Sequence, residues 1–138
     1  MSLLYTYITH ELIHVTVSSF LAYIVFKWFH SKRALIICFA YGIFMDMDHL
    51  FDFFLSNKGI SFDIISFFST DYFSKNGKAY VPLHGWEYAI ILLGCGIFLK
   101  KHKDINIPLS FAIIGHLIID HICYGIKLRD YFLLQRLL

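Results

Sequence analysis

Four apolar stretches, each about as long as a helix needs to cross a bilayer, leave this chain few folds to choose from. They run over about 3–29, 34–55, 82–99 and 107–126. A helical span takes about 20 residues, and in lipid a helix satisfies its own backbone polar groups. Few turn signals interrupt the stretches, so a sandwich or barrel does not fit. The expected fold is therefore all-α: one membrane-embedded helical domain over 1–138, with about four transmembrane helices. Composition argues the same way. Charged residues make up 16% of the chain against about 25% in soluble domains, and mean hydropathy is +0.63. Much of the surface is then expected to meet membrane lipids rather than water.

Pro82 and Pro108 suit helix starts, where a missing N–H costs nothing. The long connection, 56–81, holds two turn-like segments around Asn57-Lys58-Gly59 and Lys75-Asn76-Gly77-Lys78. The apolar positions between them suit a short interfacial helix over 60–68. The tail after Arg129 reads as a brief amphipathic helix. The N-terminus lacks the positive segment of a signal peptide, so the first stretch is expected to remain in the mature protein. Net charge is +2, too small to imply a nucleic-acid partner. Cys38, Cys95 and Cys123 stand in apolar stretches without CxxC spacing and read as small buried hydrophobes. Gly42, Gly94, Gly96 and Gly115 are expected to allow close helix packing.

Ionisable residues inside the spans carry the functional signal. The first span holds His10, Glu11 and His14; the second holds Asp46, Asp48, His49 and Asp52. The third opens with His84 and Glu87, and the fourth holds His116, Asp120 and His121. These are six of the eight histidines and six of the ten carboxylates. With alternating helix directions, all four groups fall in one leaflet, on the side of the N-terminus, the long connection and the C-terminus. His30 and His102 fall at the opposite face. His10 and His14 are i,i+4 and share a face, as do His116 and Asp120; Asp46/His49 and His84/Glu87 are i,i+3. On a regular helix Asp48 lies about 200° from Asp46, so not every acid of the second span can point inward. Asp46 and His49 are favoured as direct ligands, with Asp48 at the edge.

The twelve Lys and Arg residues all lie in loops, ends or the tail. Ionised carboxylates inside a membrane are costly, so either several acids are protonated or bound cations supply the missing charge. Imidazole with carboxylate suits a divalent ion, zinc first, with manganese or iron as alternatives, and the donor number allows one ion or two. The expected ligands are His10, His14, Asp46, His49, His84, His116 and Asp120. A metal-bound water would attack an ester or phosphoester, with Asp48, Glu11 or Glu87 as general base. Glu11 and Glu87 have plainer readings, as an acceptor for a ligand histidine and as an interface anchor; Asp52 and His121 stay open between ligand, base and support. A lipid or lipid-linked substrate suits a site near a membrane face. Lys75, Lys78, Lys127 and Arg129 lie at that face, to attract an anionic headgroup or to anchor the chain. Lys and Arg are denser in the two short loops, which places those loops in the cytoplasm and the site outside.

Two other functions use the same residues. A metal or proton carrier would bind ions without turnover. His10-Glu11-Leu12-Ile13-His14 matches HExxH, the zinc motif of metalloproteases. No Leu-Asp-Gly-type ligand motif follows it.

Four elements in order, Thr9-His10, Met45-Asp46-Met47-Asp48-His49, Leu83-His84-Gly85 and His116 with Asp120, resemble the YdjM-like membrane-bound metal-dependent hydrolases. The resemblance spans nearly the whole chain. It implies an integral membrane protein of a prokaryotic cell and, through a more distant likeness to zinc-dependent phospholipase C and P1 nuclease, phosphoester chemistry at a multi-metal helical site. The chain departs from the pattern at Met45, where the family has proline, at Gly85, where it has serine, and in having no Arg before His84.

Overall fold

The computed structural model describes residues 3–56, 63, 66–67, 81–100 and 102–137, and within them every regular element is helical. Helix α1 spans Leu3–Phe29 and α2 spans Lys32–Phe44. A 3-10 turn, Met45–Asp48, leads into α3, His49–Ser56. Helices α4, Trp86–Phe98, and α5, Lys103–Tyr124, follow; a second 3-10 turn, Leu128–Tyr131, precedes the short α6, Leu133–Leu137. Most of the expected interfacial helix over 60–68, and Lys75 and Lys78, lie outside the described residues.

Three stretches are long and apolar enough to cross a membrane: Ile8–Phe29, Lys32–Ser56 and Lys103–Tyr124. The third expected span is shorter than its apolar stretch. Pro82 and Leu83 form a turn, Gly85 caps the helix with extended backbone, and α4 has 13 residues. That is about 20 Å of helix against a hydrocarbon core of about 30 Å. The fourth begins earlier than expected, at Lys103, and Pro108 lies inside it.

Helix α5 is central, packing against α1, α2 and α4. Its buried residues Ala112, Ile113, His116, Leu117 and Asp120 recur at the 3.6-residue period, so two polar residues share the face that carries the core. At one end of the bundle Ala22, Val25, Ala34, Cys38 and Ala112 form an apolar cluster sealed by Phe29, Phe39 and Phe111. Small residues set the helix spacing. A Cβ on Gly42 would collide with the Ser18 hydroxyl, on Gly96 with Ile107, and on Gly115 with Leu21. Gly94 departs from the expectation: a Cβ there meets nothing within 4 Å. Cys38 is buried as expected, whereas Cys123 is exposed.

The 3-10 turn changes which side chains face the core. Its three-residue period stacks i with i+3, so Asp46 and His49 align, with His49 Nε2 3.1 Å from Asp46 Oδ1. Asp48 turns instead towards the 81–85 segment, where its Oδ2 lies 3.0 Å from His84 Nδ1.

Candidate metal centre

Five elements converge at the end of the bundle opposite the apolar cluster. Helix α1 supplies His10 and His14, the 3-10 turn supplies Asp46, and α3 starts with His49. The segment 81–85 supplies His84, and α5 supplies His116 and Asp120. His14 and His116 stack with ring centroids 3.9 Å apart, although they are far apart in sequence.

Asp46, His84, His116 and Asp120 form a compact group. Asp46 Oδ1 lies 3.2 Å from His84 Nε2 and 3.1 Å from His116 Nε2, and those two nitrogens are 3.2 Å apart. Asp120 Oδ2 is 3.5 Å from His84 Nε2 and 3.6 Å from His116 Nε2. Zinc bonds of 2.0–2.2 Å in a tetrahedron require edges of about 3.3–3.6 Å between donors. The observed edges, 3.1–3.6 Å, lie within or just under that range.

A second group shares one of these carboxylates. His10 Nε2 and His14 Nε2 are 2.7 Å apart and lie 3.3 and 3.1 Å from Asp120 Oδ1. Asp120 thus presents one oxygen to the α1 histidines and the other to His84 and His116. Asp46 is also within 4.8 Å of His10 and His14, donor atom to donor atom. Its Oδ2 is buried and has no hydrogen-bond partner among the described residues.

The outer ring nitrogens fix the tautomers. His116 Nδ1 lies 3.0 Å from the Gly42 carbonyl, which can only accept, and His84 Nδ1 lies 3.0 Å from Asp48 Oδ2. Both Nδ1 atoms therefore carry hydrogen, and in neutral rings both Nε2 lone pairs point inward. Two lone pairs facing each other at 3.2 Å beside two carboxylates form an electron-rich pocket that a cation satisfies. The donor set, its edges and its outer hydrogen bonds fit a divalent ion.

His49 joins Asp48 and His84 in a third, overlapping donor group. Asp48 accepts the Leu83 N–H at 2.7 Å as well as the His84 ring N–H, the geometry of a carboxylate that orients a ligand histidine. Asp52 is buried and accepts the Val81 N–H at 2.9 Å. Glu11 belongs to none of the three donor groups among the described residues. Glu87 accepts from the Leu134 N–H at 3.3 Å, towards the tail. His121 Nδ1 lies 2.6 Å from the Ile126 carbonyl, at the end of α5. His30 and His102 lie at the α1–α2 and α4–α5 links, both exposed and both with positive φ.

One cation of the tail, Arg136, approaches the cluster, which its place in the sequence does not announce. The tail folds back so that its guanidinium reaches the backbone of Val81 and His84, within electrostatic reach of Asp48 and Asp52. Tyr124, also unforeseen, packs its ring against His10 at 4.4 Å. Side-chain exposure locates the opening: His49 is 25% and Asp46 12% exposed, whereas His10, His14, His84, His116 and Asp120 are 7% or less.

Comparison with family models, with curated proteins and with solved structures finds no match.

Proposed function

We propose that this chain is an integral membrane hydrolase that uses two divalent ions, zinc foremost, bridged by Asp120, to cleave an ester or phosphoester of a lipid or lipid-linked substrate. The observation that carries this reading is the division of labour at Asp120, whose two oxygens face two separate histidine pairs. His10 and His14 would hold one ion. His84 and His116 would hold the other with Asp46. Divalent ions in such a pair polarise the scissile group and bring the pKa of a coordinated water towards neutrality. The resemblance to YdjM-like hydrolases implies the same chemistry.

Membrane insertion rests on the three long apolar helices; the shorter α4, with the segment before it, would make a fourth crossing. Backbone that is not helical at that depth must be satisfied by protein groups. Asp48 and Asp52 supply acceptors there for Leu83 and Val81. His49 and Asp46 mark the side from which substrate enters. Asp48 serves this centre by holding His84.

A carrier would need a polar route through the other half of the bundle. That half is filled by the apolar cluster around Cys38 and Ala112, which favours a one-sided pocket. The test is metal analysis of detergent-purified protein, wild type against His116→Ala and Asp46→Asn, followed by turnover of phosphodiester and ester substrates and by metal uptake into proteoliposomes. Bound metal that both variants lose, together with turnover, supports the hydrolase. Uptake without turnover overturns it in favour of a carrier.

A further inference from the structure

His84 differs from the other close donors in standing on a segment with no helical frame. Residues 81–85 turn at Pro82 and Leu83 before α4 begins, so the position of its imidazole depends on whatever holds that backbone. Asp52 and Asp48 take the N–H groups of Val81 and Leu83 from one side. From the other, Arg136 Nη1 donates to the Val81 carbonyl at 2.9 Å, and Nη2 donates to the His84 carbonyl and, at 3.3 Å, to that of Tyr131.

We infer that Arg136 is a positioning residue for the metal centre: the C-terminal helix is a strap whose guanidinium locks the His84 peptide so that Nε2 meets Asp46 and His116. The inference rests on the metal-centre reading above. A guanidinium suits the task because its planar fork reaches several carbonyls from fixed directions, which a lysine ammonium does not. Two further contacts seat the strap. A Cβ built on Gly85 would stand 3.0 Å from Leu133 Cγ, so the glycine lets Leu133 close against the segment. Glu87 accepts the Leu134 N–H.

The experiment is a double-mutant cycle on the full chain in detergent, with Co²⁺ as the probe, read by its d–d absorption and by titration. Arg136→Gln should weaken Co²⁺ binding about tenfold or more and alter the absorption envelope, as loss of an outer support to a ligand histidine does. In a His84→Ala background the same substitution should leave the residual affinity unchanged, because the partner through which it acts is gone. An unchanged affinity and spectrum in Arg136→Gln, or an equal loss in both backgrounds, overturns the inference while leaving the metal centre standing. Absence of Co²⁺ binding by the wild type removes both. If Arg136→Gln does not fold, Arg136→Lys completes the cycle, since it keeps the charge without the fork.

Discussion

Replacing Asp120 by asparagine separates a bridged pair of ions from a single ion with spare donors. The carboxylate sits 3.1 and 3.3 Å from His14 and His10 through one oxygen, and 3.5 and 3.6 Å from His84 and His116 through the other. Asparagine keeps one oxygen as a donor and turns the other into an NH₂ group that repels a cation. Whichever histidine pair retains the oxygen keeps its ion, and the other loses it. The magnitude follows from the charge removed. A unit charge pair at 4 Å and an effective dielectric of about 20 interacts by about 4 kcal/mol, which corresponds to about a thousandfold in affinity. Metal content after dialysis against a buffered metal pool should fall from two ions per chain to one, with helical circular dichroism unchanged. Two ions retained at wild-type affinity, or one ion in both proteins, would refute the bridging role.

Asp48→Asn removes the charged acceptor behind His84 and should weaken metal binding about 10–100-fold, measured by competition with a chromophoric chelator. Gly96→Ala should destabilise the α4–α5 contact by about 1–3 kcal/mol, because its Cβ meets Ile107. Gly94→Ala, facing open space, should stay within about 0.5 kcal/mol; thermal unfolding in detergent compares the two. Acidification should release metal. Each ligand imidazole must give up its Nε2 proton to bind, so affinity falls as pH drops; equilibrium dialysis at pH 5 and 7.5 gives the direction.

The parts of the centre legible in the sequence are those built on regular helix. His10 with His14, and His116 with Asp120, follow from the 3.6-residue period, and their meeting at one end of the bundle follows from counting along helices of alternating direction. Where the backbone leaves that period, projection from sequence loses accuracy. The Met45–Asp48 turn brings Asp48 in behind His84, which a regular helix would not place. The start of α4 moved from Pro82 to Trp86 because the segment before it is fixed by distant side chains rather than by its own propensity. Gly94 and Gly96 look equivalent in sequence, and only the direction of the neighbouring helix distinguishes them. Arg136 was invisible for a similar reason, since a charged residue in a short tail carries no mark of where the tail folds.

The central place of α5 also has a consequence for biogenesis. The α1 histidines leave the ribosome early, whereas the carboxylate that joins them to the other pair arrives more than a hundred residues later. Until that last long helix docks, neither histidine pair meets the Asp120 carboxylate, and the donor groups that share it are incomplete. Metal loading, in the two-ion reading proposed above, would then come late in assembly, after α5 has docked.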